Sequence, residues 1–491
     1  MAVTPATVAS SADDREDVHI DIDDLELKAQ GYDRAMPRRF NLLSLISMSY
    51  ALLATWNGFG SAFGTGFTEA SSAGSIWTLT IAALMTAVTG IGMAELASAY
   101  PVAGAQYYWS YVVATPEWGP FASYISAGIS TLGWWLGLAS VTNFIASMIT
   151  GIAVLNHPDY VIERWHIWLI FVAITWSAIA MNVFGTRWLP LWNKFILFFS
   201  ATTLIVTMIT ILACAAPKFQ SAKFVFSDTT NSTGWPNDGL AFLLCLVNAL
   251  YGFLGVDCGS HLCEEIPRPT VNVPKVIMYP VLMGFVTCFP YAISLSFVIT
   301  DFEKVIATPT GLPLIEVYYQ ATGSKAGTSI LMVAFAICFF GCATASVTSA
   351  SRQMWSASRD NCFPFAKYWR QIHPRWQMPV NAACLEGTLV SGILAWRGRD
   401  KVLPPRALNL GKFGLPLNVL ACVWVVFIDI IYCIPVFRPV TVGPNLNLEL
   451  LQAARHDELL GHRTIDGVPV GDDNGVLEAL RQRSISQDKK V

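Results

Sequence analysis

The residues able to do chemistry in this chain fall into two glycine-interrupted runs. The first reads Thr55-Trp56-Asn57-Gly58-Phe59-Gly60-Ser61-Ala62-Phe63-Gly64-Thr65-Gly66. Each glycine there weakens a helix by about 1 kcal/mol relative to alanine. Such a run suits an unwound stretch whose free amides and carbonyls hold a ligand at mid-membrane. It equally suits close helix packing through small residues. The second run holds Asn248, Gly252, Phe253, Gly255, Val256, Asp257, Gly259, His261 and the pair Glu264-Glu265. A charge at the centre of a bilayer costs about 2.5–3.5 kcal/mol on insertion scales. Asp257 therefore lies either at a polar site or at the edge of a span, with Glu264-Glu265 capping the loop beyond. His261, with an ordinary pKa near 6.5, suits either a coupling proton or a satisfied polar contact. A nucleotide-binding glycine loop is excluded, because the spacing is not GxGxxG and no strand precedes it. There is no HExxH, no GxSxG, no cysteine pair at zinc spacing and no paired carboxylate at a membrane face. No enzyme activity, metal or cofactor is expected.

The elements that must hold these runs are membrane spans. Of 491 residues, 13% are charged and 54% hydrophobic, against about 25% charged in a soluble domain. A net charge of −3 leaves no basic footprint for nucleic acid. Eight windows are uncharged and long enough, or nearly so, to cross a bilayer as helices: 41–68, 70–94, 118–156, 165–186, 195–217, 239–256, 276–300 and 326–351. Two weaker windows follow: 380–396, interrupted by Glu386, and 413–437, which contains Asp429. The cysteines sit in apolar runs and read as small hydrophobes.

Residues 1–39 form a polar, acidic tail with no signal-peptide core, 40–440 the membrane domain, and 441–491 a second polar tail. Both tails read as solvated. With the N-terminus cytoplasmic, the inner flank and loops hold Arg34, Arg38, Arg39, Arg187, Lys194, Arg268, Lys275, Arg359, Lys367, Arg370 and Arg375. The outer loops hold only Arg164, Lys218, Lys223, Lys304 and Lys325. The basic excess favours that orientation, which also places the sequon Asn231-Ser232-Thr233 outside for glycosylation. The two glycine-broken spans, first and sixth, stand in corresponding positions of a five-plus-five inverted repeat. Where the breaks meet, helix N-termini favour a carboxylate and freed carbonyls an ammonium group.

Several motifs resemble one family. Ala94-Glu95-Leu96-Ala97-Ser98-Ala99-Tyr100-Pro101-Val102-Ala103-Gly104-Ala105-Gln106-Tyr107-Tyr108-Trp109 resembles its AE(I/L)xSAYPxAGGQYxW, with Ala105 in place of a glycine. Gly255-Val256-Asp257 through His261 and Glu264-Glu265 resembles GxDxxxHxxEE. Ser358-Arg359-Asp360 with Pro364 resembles ARDxxxP, Pro379-Val380-Asn381-Ala382 resembles PVNA, and Asn409-Leu410-Gly411 resembles FNLG. The chain resembles the fungal amino acid/choline transporter family, with its GABA and choline permeases, of the amino acid–polyamine–organocation superfamily. The resemblance spans residues 38–440. It implies an all-α integral membrane protein with the broken-helix fold. It also implies secondary, proton-coupled uptake at the plasma membrane of a small solute such as GABA, another amino acid, choline or a polyamine. Carried over, the substrate contacts are Asn57, Gly58, Gly60, Phe253, Gly255, Val256 and Asp257. Glu95, Tyr100 and Gly104 belong to a gating or structural motif. Trp134 and Trp135 suit an ammonium cage or plain packing, and Arg352 reads as a snorkelling anchor.

One departure stands out. The chain passes from Trp396 straight into Arg397-Gly398-Arg399-Asp400-Lys401, so the expectation is about ten spans, without the family's spans ten and twelve. An altered gene model or a shortened permease would each account for this. The alternative functional reading is a non-transporting solute sensor, or an inactive truncated permease. The exact substrate and the oligomeric state are not readable from the residues.

Overall fold

The computed structural model describes residues 22–232 and 238–386. Fourteen helices follow in order: α1 Ile22–Ala29, α2 Leu42–Leu53, α3 Thr55–Ala99, α4 Gln106–Val113, α5 Gly119–Asn156, α6 Arg164–Phe184, α7 Leu189–Ala215, α8 Ala222–Ser227, α9 Asp238–Tyr251, α10 Pro269–Val298, α11 Phe302–Ile306, α12 Pro313–Thr322, α13 Lys325–Arg359 and α14 Ala366–Trp369. A tight 3-10 segment, Cys258–Glu265, lies between α9 and α10. No strand occurs among the described residues. Six stretches there are long and apolar enough to cross a membrane: Leu42–Ala99, Gly119–Asn156, Arg164–Phe184, Leu189–Ala215, Pro269–Val298 and Lys325–Arg359. Window 380–396 is helical from 380 to 386. Its remainder, window 413–437, the missing spans and the tail 441–491 lie outside the described residues.

The end at which the chain enters α2 is termed the foot, and the opposite end the rim. Asn41 starts α2 with a reciprocal cap, its Oδ1 accepting from Ser44 N at 2.9 Å and its own N–H donating to Ser44 Oγ at 3.0 Å. Ser324 caps α13 by accepting from Gly327 N at 3.2 Å. The bundle inverts the soluble pattern. Trp77, Ile91, Phe198, Ile209, Leu282 and Ile330 face outward, as a lipid-facing surface requires. Inside, hydroxyls back-bond to their own helices, Thr142 to Leu138 O at 2.8 Å and Thr348 to Thr344 O at 2.9 Å. Each such bond pairs a hydroxyl that lipid could not.

Two expectations are revised. The first glycine run is helical throughout. The helix breaks one turn earlier, at Ala54, whose φ of 41° and ψ of 43° separate α2 from α3. Its glycines instead permit close approach: a Cβ on Gly58 would stand 3.0 Å from Gly252 Cα, and one on Gly60 3.0 Å from Tyr291 Oη. Residues 22–39 are not a solvated tail. Leu27, Met36 and Phe40 are buried, and Arg38 pairs with Asp24 at 2.6 Å. This segment lies across the foot, with Arg268 N donating to Asp23 at 2.8 Å. Two of the acidic residues that made it look solvated, Asp23 and Asp24, are the partners of its own Arg34 and Arg38.

Gly58→Val and Gly252→Val are each expected to lower the melting temperature in detergent, since overpacking a tight contact costs about 1–3 kcal/mol. Gly128→Ala and Gly137→Ala, whose Cβ positions are open, should lose nothing. Equal losses in both sets would contradict the packing reading.

Candidate functional site

Two interrupted helices meet at the centre of the bundle. At Ala54 the chain turns left-handed, so α3 begins afresh at Thr55 with no side-chain cap on its first N–H groups. Those N–H groups carry the positive end of the helix dipole. Thr55 Oγ1 is buried beside them without a hydrogen-bond partner. Across from it, α9 stops at Tyr251 and gives way to three-residue turns, Gly252 N to Ala249 O at 3.2 Å and Phe253 N to Leu250 O at 2.9 Å. Gly255 then takes a φ of +77°, packed so closely that a Cβ would collide with Leu52. The C-terminal carbonyls of α9 carry the negative end of its dipole. Gly252 faces Thr55 O, which a Cβ there would meet at 3.0 Å. A helix N-terminus and a helix C-terminus are therefore held in contact inside an apolar bundle.

Aromatic rings wall this meeting point. Trp56 is fully buried and donates from Nε1 to Ser200 Oγ at 2.9 Å, with Phe335 edge-on at 4.9 Å. Tyr251 bonds Ser140 Oγ at 2.9 Å. Asn57 is buried and spends a donor on Phe335 O at 3.4 Å. Gly58 and Gly255 stand at the junction. Gly60 packs against α10 and α13 instead. Phe253 is buried, while Val256 is half-buried and packs beside Gly90 of α3. Asp257 turns its carboxylate to Gln106 Nε2 at 2.5 Å and His261 Nε2 at 3.0 Å. The structure thus groups Asp257 with the foot. Trp134 meets His261 edge-on at 5.7 Å, a packing contact.

The foot is held by buried ion pairs. Glu264 takes a bidentate contact from Arg359, at 2.9 and 3.2 Å, and accepts from Ala103 N at 3.3 Å. Glu265 pairs with Arg352 Nε at 2.9 Å, both side chains almost wholly buried. Arg352 is therefore an ion-pair partner inside the bundle rather than a snorkelling anchor, and Glu264-Glu265 are not loop caps. Arg359 also lies 3.9 Å above the Tyr32 ring and 4.6 Å from that of Trp355. Tyr32 and Tyr107 both donate to Asp360, at 2.9 and 2.8 Å. Burial, and then the Asp360 charge, hold the Tyr107 phenol well above its ordinary pKa, so it stays a neutral donor. Glu95 is exposed at the end of α3. Tyr100 accepts from Trp109 Nε1 at 3.0 Å, and Gly104 leaves no room for a Cβ under the Tyr107 ring. At the rim, Asn248 donates to Glu69 at 2.5 Å, a carboxylate that no sequence motif singled out. Asn231 is half-buried and bonds Asp238 at 3.1 Å, while Thr233 of its sequon lies outside the described residues.

Residues 40–437 match the family model described as amino acid permease. The chain is 31% identical over 459 residues to the choline transporter of Saccharomyces cerevisiae, covering 87% of this chain and 81% of that one. It is 32% identical over 337 residues to a putative amino acid/polyamine transporter of Macrophomina phaseolina, covering 68% and 74%. To the amino-acid permease BAT1 of Arabidopsis thaliana it is 25% identical over 474 residues, covering 86% and 90%. A solved nucleobase–cation symport-1 family transporter, in a closed conformation with bromovinylhydantoin bound, aligns over 79% of this chain and 77% of its own. Its TM-score is 0.46 and its identity 12%.

Removing one partner of a buried ion pair strands the other charge at a cost of about 3–5 kcal/mol, whereas an apolar replacement of both is often neutral. Glu265→Gln should therefore lower thermal stability strongly. The double change Glu265→Leu with Arg352→Met should recover most of the loss. A double variant as unstable as the single would count against an isolated pair.

Proposed function

The chain belongs to the amino acid permease family, whose members are membrane transporters and not enzymes, and we propose that it imports a small amino-acid-like or choline-like solute by proton-coupled alternating access. The observation that carries this reading is the contact between the uncapped start of α3 and the end of α9 at Gly58 and Gly252. A carboxylate would accept from the free N–H groups and Thr55 Oγ1. An ammonium group would lie against the α9 carbonyls and the rings of Trp56 and Tyr251. Asn57, Gly58, Phe253, Gly255 and Val256 would form or border that site. Gly60 would set the helix spacing around it, and Asp257, Glu95, Tyr100 and Gly104 would serve the gate at the foot.

The breaks, at Ala54 and after Tyr251, fall in the windows read as the first and sixth spans, and α5 packs along α13. Both facts support a five-plus-five inverted repeat in which one bundle rocks against the other. The relatives are a choline transporter, a putative amino acid/polyamine transporter and an amino-acid permease. They support a solute bearing an ammonium group. The basic excess at the foot supports a cytoplasmic N-terminus, with Asn231 glycosylated outside.

Uptake of labelled choline, GABA and an amino-acid panel in cells lacking their own carriers tests the reading. Saturable uptake that rises at acidic external pH is expected. For an amino-acid substrate, Thr55→Val should raise KM about tenfold, the worth of one hydrogen bond of roughly 1–1.5 kcal/mol. No uptake of any member of the panel, with normal surface expression, would favour a sensor. Glycosidase treatment should shift the gel mobility of the parent and not of Asn231→Gln. An unshifted parent would oppose the proposed orientation.

A further inference from the structure

His261 is wholly buried, and both of its ring nitrogens face oxygen atoms. Nδ1 lies 3.1 Å from the Ala103 carbonyl oxygen and Nε2 lies 3.0 Å from Asp257 Oδ2. A carbonyl oxygen and a carboxylate oxygen only accept hydrogen bonds, and a neutral imidazole has one N–H to give. Serving both acceptors takes one more proton, on the ring or on Asp257. Gln106 Nε2 donates to the same Oδ2 at 2.5 Å. We infer that Asp257 and His261 bind one exchangeable proton, and that this proton fastens the loop 100–106 to the segment after α9, closing the foot.

The neighbouring charges are already matched. On the same segment, Glu264 and Glu265 are paired with Arg359 and Arg352 of α13. On α4, the Tyr107 hydroxyl is engaged with Asp360 and Ser356. From α2, Ser49 Oγ meets the Cys258 thiol at 3.2 Å. From α5 comes the edge of Trp134, and from α10 the apolar Val276. Asp257 retains 14% side-chain exposure while His261 has none, so protons reach the pair through the carboxylate. When the proton leaves to water, the ring keeps its one N–H toward the Asp257 carboxylate, and the Nδ1 lone pair is left facing the Ala103 carbonyl oxygen. That contact turns repulsive and the loop is released. The role of this proton in transport rests on the proton-coupled reading above. The site itself does not.

Hydrogen–deuterium exchange on the purified full-length chain tests the inference. Once corrected for intrinsic exchange, protection of 100–106 and 257–265 should fall about tenfold per pH unit once the pair begins to lose its proton, as an opening linked to one proton requires. In Asp257→Asn the amide can donate to Nε2, so a neutral ring satisfies both contacts. Protection there should be high and independent of pH. His261→Gln, which has no titrating ring, should also show no transition. A pH-invariant parent, or a transition surviving in both variants, would overturn the inference. Uptake measured on the same proteins separates the two layers. A latch that opens with pH while uptake does not change would keep the proton site and remove its part in coupling.

Discussion

The structure depends on one contact, that of Gly58 with Gly252. Only hydrogen atoms separate the two backbones there. This lets the start of one half-helix and the end of another share a single plane in the bundle. Any side chain would push them apart, and the opposed dipoles would no longer face the same small volume. The surrounding packing follows from that approach. Gly284 of α10 leaves space for Thr55, and Trp56 closes the back against Tyr291 and Phe335. Broken helices are tolerable in lipid only where protein or a polar cavity covers the freed backbone, and here α5, α10 and α13 do the covering.

The foot is built on a different principle. Its carboxylates and guanidiniums are withdrawn from water and matched one to one, Glu264 with Arg359 and Glu265 with Arg352. Such pairs add little net stability over apolar packing, yet they are costly to break singly. They therefore specify an arrangement more than they strengthen it. The rings of Tyr32 and Trp355 stack on Arg359, extending the network to the N-terminal segment. Centre and foot communicate through the short stretch after α9, where Gly255 belongs to one and Asp257 to the other.

Much of this was legible because lipid imposes a coarse code. Each of the eight uncharged windows is helical over most of its length, since a run of apolar residues has few alternatives in a membrane. The interruption of the sixth was visible in Gly252, Gly255 and Asp257. The interruption of the first was placed a turn late. Glycines advertise a break, whereas Ala54, an excellent helix former, adopts a left-handed conformation for tertiary reasons that no local signal carries. Depth was equally hidden. Arg352 at the end of an apolar run looks like an anchor until Glu265, distant in sequence, is seen beside it. Glu69 went unnoticed for the same reason, its partner Asn248 lying on another helix. The acidic tail misled because composition reports solubility but not complementarity, and Asp23 and Asp24 meet Arg38 across a turn of the same segment.

The segment lying across the foot also bears on how the protein is made. Tyr32 reaches Asp360, 328 residues away, and Arg39 donates to Gln377, 338 residues away, at 2.6 Å. Neither contact exists until the ribosome has passed α13. Through most of synthesis, therefore, residues 22–39 lack these two contacts while the spans accumulate. Contacts of such long sequence separation form late in folding. The docking of residues 22–39 is thus complete only after α13 has been made, and it reports that the helices behind it have assembled.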